Sequence, residues 1–114
     1  MSAITTHVLD ISRGAPARGV PVMLELETDS GDWLMLGKGT TDADGRLRDL
    51  LPEGEPLSIG TYRLTFDTET YFRAQKVEGF YPFVQVVFSI LDTDSHYHVP
   101  LLLSPYGYST YRGS

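Results

Sequence analysis

Short runs of β-branched, aromatic and leucine residues recur along the whole chain and constrain its fold more than any other feature. The six longest runs span residues 5–11, 20–27, 33–40, 60–66, 83–91 and 97–103. Clusters of Gly, Pro and Asp separate them, at 13–16, 29–32, 42–45 and 52–54. Because such clusters favour turns, each run is predicted to be a strand. With shorter strands predicted at 46–49 and 106–111, the pattern indicates an all-β, two-sheet sandwich of seven to eight strands.

One segment, residues 67–76, has a different character. It contains no Gly or Pro, begins with the capping residue Asp67, and carries Glu69 early and Arg73 and Lys76 late. Acidic residues near the start of a helix and basic residues near its end favour the helix dipole. We therefore expect one short helix between two strands. At 114 residues the chain has the size of one domain, so residues 1–114 are expected to form a single unit.

Charge and the length of apolar runs exclude two classes of partner. The formal net charge is −6, and no cluster of Lys and Arg is available to bind phosphate groups, so we expect no nucleic-acid partner. Residues 1–7 lack the basic head and apolar core of a signal peptide. An apolar run such as 99–103 is far too short to span a bilayer. These features predict a cytoplasmic protein with no membrane partner, and the lack of cysteine excludes disulfides and thiolate zinc sites.

Two histidines lie at the last long predicted strand. Alternation puts His96, His98 and Pro100 on one face and Tyr97 on the other. Both faces are largely apolar, so we expect the sandwich core to cover one face and a second subunit to cover the other. A His-x-His pair also has a spacing that suits zinc, but His7 is the only further histidine. A zinc site therefore has no further support, and no metal is predicted.

Two other polar residues have ordinary explanations when each is considered alone. A lone histidine on a strand, such as His7, is usually structural or solvated. A calcium loop starting at Asp42 is excluded because Arg46 would occupy the fifth position, where an oxygen ligand is needed. The Asp44-Gly45 pair instead predicts a hairpin turn, followed directly by Arg46.

The C-terminal stretch 104–114 is rich in tyrosine and hydroxyl groups. Buried tyrosines need packing and a hydrogen-bond partner, so a wholly disordered tail is not expected. The sequence contains no Gly-x-Ser-x-Gly motif, no phosphate-binding loop and no dinucleotide fingerprint. Any catalysis must therefore use histidine, arginine, tyrosine and water.

Several of these segments resemble the transthyretin-like protein family. They are His7-Val8-Leu9-Asp10, the turn Thr41-Asp42-x-Asp44-Gly45-Arg46, Gly60-x-Tyr62, Tyr71-Phe72 and Phe80-Tyr81-Pro82. The strongest resemblance covers residues 96–114, which end in Tyr111-Arg112-Gly113-Ser114. This ending is similar to the signature of the 5-hydroxyisourate hydrolase branch, whereas the hormone carriers of the same fold lack it. The resemblance covers essentially the whole chain.

The resemblance implies a prealbumin-like sandwich that assembles as a homotetramer, with active sites at the dimer–dimer interface. It implies hydrolysis of 5-hydroxyisourate to 2-oxo-4-hydroxy-4-carboxy-5-ureidoimidazoline in urate degradation, without a cofactor or a metal. By position, the family's catalytic residues fall on His7, Arg46 and His98. Its substrate-binding residues fall on His7, Arg46, Tyr111 and Ser114.

The roles of these residues follow from the implied reaction. Water is a poor nucleophile at neutral pH, so a histidine is a suitable general base, and both His7 and His98 remain candidates. A guanidinium is suited to an anionic ring with several carbonyl groups and to the developing oxyanion, which fits Arg46. Tyr111 and Ser114 are expected to close the pocket and donate hydrogen bonds.

Two alternatives come from other functional classes. The first is a transthyretin-type carrier of small aromatic ligands, and the second is a structural or adhesive sandwich whose histidines only pack at an interface. The carrier interpretation leaves the ending at 111–114 unexplained, and the structural interpretation gives Arg46 no role.

Overall fold

The computed structural model describes residues 3–52 and 54–114, which form two β-sheets and one short helix. In chain order the elements are β1 (Ile4–Asp10), β2 (Ala15–Pro16), β3 (Pro21–Glu27), β4 (Trp33–Thr40), β5 (Arg46–Leu47), β6 (Gly60–Phe66), α1 (Thr68–Ala74), β7 (Val84–Ile90), β8 (Tyr97–Ser104) and β9 (Gly107–Thr110). The all-β, two-sheet sandwich with one short helix is confirmed.

The long strands begin and end within one residue of the predicted bounds. The short strands differ more: β5 covers two residues, and β9 covers 107–110 within the predicted 106–111. The two-residue strand β2 was not predicted, because a pair of residues carries no periodic signal. Both β2 and β5 are defined by their pairing with β1, which is a tertiary contact.

The helix α1 is capped at both ends by local interactions. The side chain of Asp67 accepts a hydrogen bond from the backbone N–H of Thr70 at 3.1 Å, which satisfies one of the free donors of the first turn. The helix ends two residues earlier than predicted, and Lys76 follows in the left-handed region with a φ of 58°. Tyr71 and Phe72 are buried and hold the helix against the sandwich.

Each sheet contributes one face to a common core. The first sheet has the order β2-β1-β8-β9 with β5 also paired to β1, and the second has the order β4-β3-β6-β7. Alternate residues point inward, as the sequence pattern predicted. The inward side chains of the first sheet include Ile4, Val8, Tyr97, Val99, Leu101 and Leu103, and those of the second include Val22, Leu24, Tyr62, Leu64, Phe66, Val84 and Ile90.

A buried carboxylate links the end of β1 to α1. The hydroxyl of Tyr71 donates a 2.7 Å hydrogen bond to Asp10, which is 1% exposed. Arg13 donates to the Tyr71 oxygen at 3.3 Å. Burial alone would raise the pKa of Asp10, but hydrogen bonds from Ser12, Tyr71 and the backbone outweigh it and hold the pKa below the ordinary value. The charged form of Asp10 therefore stabilises the fold.

The pairing of β1 with its neighbours determines which polar residues meet outside the core. Strands β1 and β8 run parallel, with Thr5 opposite His98 and His7 opposite Pro100. On its other side β1 pairs with β5 in antiparallel fashion, with His7 opposite Arg46. These positions alternate with the core residues of β1, so they share the outer face of the first sheet.

Within residues 3–52 and 54–114, no helix has the length and apolar character needed to cross a membrane.

Candidate active site

A polar pocket of about 330 Å³ lies on the outer face of the first sheet. Three chain segments distant in sequence form it: β1, the region around β5, and the C-terminal part of the chain. Its lining residues are Thr5, Thr6, Arg46, Arg48, His96, His98 and Ser114. The lining combines imidazole, guanidinium and hydroxyl groups, which are suited to hydrogen bonding and proton transfer.

His98 has one nitrogen engaged and one available. Its Nδ1 lies 2.8 Å from the Oγ1 of Thr5. Its Nε2 has no hydrogen-bond partner among the described residues. Within residues 3–52 and 54–114, however, the buried side-chain nitrogens and oxygens all have such a partner. Nε2 must therefore be accessible, and since His98 lines the pocket it can exchange a proton with a molecule held there.

The environment of His98 favours the neutral imidazole. Burial of the ring is the largest cause that lowers its pKa below the ordinary histidine value. Electrostatic interactions with Arg46, His7 and His96 lower the pKa further. A neutral imidazole with an accessible nitrogen is the form required of a general base at neutral pH.

A tight turn places Arg46 beside β1. The side chain of Asp42 accepts hydrogen bonds from the backbone N–H groups of Asp44 at 2.9 Å and Arg46 at 3.0 Å. Gly45 has a φ of 75°, and a Cβ there would lie 2.3 Å from the carbonyl oxygen of Val8. Only glycine fits at this position without displacing the turn. The turn therefore fixes Arg46 opposite His7 and beside the pocket.

His7 lies at the margin of the pocket, where one of its nitrogens is already engaged. Its Nε2 lies 2.9 Å from the backbone oxygen of Asp44. Because a carbonyl oxygen can only accept, Nε2 carries a proton and donates it there. His7 is close enough for its charge to lower the pKa of His98, although it is not among the residues that line the pocket.

The C-terminal segment divides between two pockets. Ser114 lines the pocket of His98, and the backbone N–H of Gly113 donates to the His98 carbonyl at 2.7 Å. Tyr111 and Arg112 line a different pocket of about 250 Å³ together with the half-buried Phe88 and the buried Tyr97. In a single chain the structure therefore brings Arg46, His98 and Ser114 together with His7 nearby, and it leaves Tyr111 apart from them.

Among residues 3–52 and 54–114, no group of three or more His, Asp or Glu side chains is arranged to hold a metal ion.

The chain and its two-sheet fold have counterparts among known proteins. The family model described as HIUase/Transthyretin family matches residues 4–113. The chain belongs to the HIUase/Transthyretin family. A 5-hydroxyisourate hydrolase of Salmonella typhimurium is 50% identical over 111 residues, which cover 97% of this chain and 80% of the Salmonella protein.

Solved structures similar to this chain include both a 5-hydroxyisourate hydrolase and a transthyretin in complex with thyroxine. The 5-hydroxyisourate hydrolase of Klebsiella pneumoniae matches with a TM-score of 0.82 and 40% identity, and covers 97% of this chain and 98% of its own. Sea bream transthyretin in complex with thyroxine matches with a TM-score of 0.91 and 33% identity, and covers 98% of this chain and 95% of its own. The hydrolase and the thyroxine-bound transthyretin thus share this backbone, so differences between the two proteins in what they bind or catalyse must come from side chains.

Four pocket residues, Thr5, Thr6, Arg48 and His96, were not assigned a role from the sequence. Thr5 and Arg48 each lie two positions from an assigned residue, His7 and Arg46, so strand alternation could have placed them on the same face. His96 was placed on the face of His98 but was given no function. What the sequence lacked was the parallel register that sets Thr5 against both histidines of the segment around β8.

Proposed function

We propose that this protein hydrolyses 5-hydroxyisourate to 2-oxo-4-hydroxy-4-carboxy-5-ureidoimidazoline, a ring-opening step of urate degradation. The observation that carries the proposal is that one polar pocket holds both the accessible imidazole of His98, whose lowered pKa favours the neutral form, and the guanidinium of Arg46. Similarity to 5-hydroxyisourate hydrolases at 50% identity over nearly the whole chain supports the same reaction.

In the proposed mechanism His98 is the general base. Its Nε2 accepts a proton from water as the water oxygen attacks the acyl carbon of the six-membered ring. The same nitrogen then returns the proton to the ring nitrogen that leaves, so His98 ends the cycle neutral. A positioned base of this kind contributes about 10²–10⁴-fold to the rate.

Arg46 supplies the charge that the reaction needs, and His7 orients the reactants. The guanidinium of Arg46 binds the anionic ring and stabilises the oxyanion that forms on attack. His7, whose Nε2 donates to the backbone of Asp44, orients substrate or water with its remaining nitrogen. This engagement is the reason for assigning the base to His98 in preference to His7.

Ser114 and Tyr111 are proposed as further substrate contacts. Ser114 is in position to hydrogen-bond a ligand because it lines the pocket. Tyr111 lines a different pocket in the single chain, so its contact with substrate requires a site shared between subunits.

A shared site is part of the proposed assembly, a homotetramer of single-domain subunits with active sites at the dimer–dimer interface. The outer face of the first sheet, which also carries the pocket, has the paired apolar residues Leu9 and Leu102, each partly exposed. Covering this face with a second subunit would bury them and close the pocket. Sedimentation equilibrium measures the assembly directly, and a monomer would contradict it. We propose the cytoplasm as its location, a compartment compatible with a chain that has no cysteine.

The second candidate function is a transthyretin-type carrier. It is favoured by the close match of the backbone to sea bream transthyretin, solved with thyroxine. Identity to that carrier is 33%, against 50% to the Salmonella hydrolase. The polar lining of the pocket also disfavours an aromatic hormone. The hydrolase is therefore the better supported function.

The deciding experiment generates 5-hydroxyisourate in the cuvette with urate oxidase and follows its ultraviolet decay. Decay is compared without protein, with the native protein and with His98→Ala. Fast decay that depends on His98 would establish the hydrolase and its site. Decay no faster than the spontaneous rate, from protein with an intact fold, would reject the hydrolase and direct attention to binding of aromatic ligands.

A further inference from the structure

Thr5 lies between two imidazole rings, a position that the proposed reaction does not by itself explain. Its Oγ1 is 2.8 Å from Nδ1 of His98 and 3.2 Å from Nε2 of His96. The two rings are nearly parallel, with 19° between their planes and 6.5 Å between their centroids. Thr5 is 3% exposed, whereas His96 is open to solvent. One buried hydroxyl therefore joins two histidines that line the same pocket, the half-buried His98 and the solvent-exposed His96.

The hydroxyl couples the proton positions of the two rings. A threonine hydroxyl carries one proton, so it can donate to only one of the two nitrogens, and the other nitrogen must donate to it. If His98 carries its proton on Nδ1, it donates to Thr5, and Thr5 donates to Nε2 of His96. If Nε2 of His96 carries the proton instead, Thr5 donates to His98, whose own proton must then lie on Nε2.

Only the first arrangement leaves His98 able to act as a base toward the pocket. Its Nε2 is then an unprotonated acceptor, and this nitrogen has no other hydrogen-bond partner among the described residues. In the second arrangement the same nitrogen carries a proton and cannot accept another. The hydrogen bond made by one imidazole nitrogen decides which nitrogen is protonated, so Thr5 is placed to control the base.

We propose that Thr5 is a positioning residue that holds His98 in the tautomer protonated on Nδ1, with His96 accepting the proton of the Thr5 hydroxyl. The proposal rests on the proposed hydrolase function for its consequence in catalysis, but the tautomer itself exists without substrate. No bond other than hydrogen bonds forms in this step: His98 gives Nδ1–H to Thr5, and Thr5 gives its O–H to His96.

The test uses the full chain and three variants. Thr5→Val removes the hydroxyl and keeps the shape of the side chain, whereas Thr5→Ser keeps the hydroxyl. Thr68→Val is the matched control, because Thr68 is a fully buried threonine whose hydroxyl donates at 2.7 Å to the Tyr81 backbone, away from the pocket. All three changes affect a buried hydroxyl, but only the changes at Thr5 affect His98.

The first measurement is the tautomer of His98, read from imidazole ¹⁵N chemical shifts in the substrate-free protein at a pH where His98 is neutral. We expect a proton on Nδ1 in the native chain, in Thr5→Ser and in Thr68→Val, and loss of this preference in Thr5→Val. A native His98 protonated on Nε2 would overturn the proposal, even if Thr5→Val does not fold. Because no substrate is present, this result is independent of whether the hydrolase function is correct.

The second measurement is turnover of 5-hydroxyisourate. We expect Thr5→Val to lower kcat by about tenfold or more with little change in KM, by analogy with the loss on removing the hydrogen-bond partner that orients a metal-bound histidine. Thr5→Ser should recover most of the activity. Native activity with an unchanged kcat in Thr5→Val would overturn the positioning role alone, whereas a native chain without activity would overturn the proposed function.

Discussion

Gly113 lies directly against the imidazole of His98. Its backbone N–H donates to the His98 carbonyl at 2.7 Å, which fixes the C-terminal segment on the strand that carries the proposed base. A Cβ added at Gly113 would lie 2.7 Å from Cδ2 of His98 and 3.2 Å from Cγ of Pro100. A side chain as small as a methyl group therefore cannot be accommodated unless the ring moves.

We predict that Gly113→Ala lowers kcat/KM by roughly tenfold to 100-fold, because a small displacement of a reacting group is costly. The matched control is Gly107→Ala in the same segment, where the nearest atom to the new Cβ is 3.6 Å away and the contact is ordinary. Steady-state kinetics on both variants decide the point. Equal activity of the two variants would mean that the contact of Gly113 with the ring does not position His98.

We predict that Arg46→Gln lowers kcat by about 10²–10³-fold, the usual loss on removal of a group that stabilises an oxyanion. Arg46→Lys should remain well below the native rate, since an ammonium lacks the planar fork of donors. Arg73→Gln is the control, because that arginine lies on α1 with its side chain 77% exposed and pairs with Glu69. A native rate for Arg46→Gln, measured by ultraviolet decay of substrate, would remove Arg46 from the mechanism.

The pH dependence of activity should report His98. Burial and the nearby cations lower its pKa from the ordinary value of 6.5, and the neutral form is the active one. We therefore expect kcat/KM to persist below pH 6.5 and to fall only as His98 is protonated at lower pH. In an NMR titration, Arg46→Gln should raise the pKa of His98, because the variant removes a positive charge, whereas Arg73→Gln should leave it unchanged. A pH profile in which activity is lost with an apparent pKa above 6.5 would contradict the lowered pKa of His98.

Stability in acid should depend on the Asp10–Tyr71 contact. The pKa of Asp10 is lower in the folded chain than its ordinary value of 3.8, so the stabilisation is fully present above that pH. It is lost as pH falls through the folded pKa, because the unfolded chain then binds the proton more readily. Tyr71→Phe should therefore reduce the free energy of unfolding at pH 7 by about 1.5–3 kcal/mol. In this variant the free energy of unfolding should also decrease less than in the native protein as the pH is lowered.

Denaturant unfolding at pH 7 and at pH 3 measures both effects. Tyr81→Phe is the control, because Tyr81 is an exposed tyrosine whose hydroxyl makes no hydrogen bond within the described residues. An equal loss of stability in both variants would show that the bond to Asp10 contributes little.

The sequence predicted the strands, the helix and the inward-facing residues because these depend on local geometry. Successive side chains of a strand point to opposite faces, so Tyr97 and His98 could be assigned to different faces without knowledge of the fold. Glycine and aspartate clusters likewise place turns within a few residues. The turn before Arg46 is such a case. Asp42 accepts hydrogen bonds from the backbone N–H groups of Asp44, through its side chain, and of Gly45, through its carbonyl, and these contacts span only a few positions.

The tertiary structure decided which strands lie side by side and in what register. Thr5 and His98 are 93 positions apart, and their contact exists only because β1 and β8 pair in parallel in one register out of several. A shift of the β1–β8 pairing by one residue would turn His98 away from Thr5 and into the core. The amino-acid sequences of the two strands would be the same in either register. The same packing places Tyr111 in a different pocket from His98 and brings Arg48 into the pocket of His98. Alternation along a strand is a local property of the backbone, whereas register is set by the burial of both sheets at once, and the sequence of one strand does not contain it.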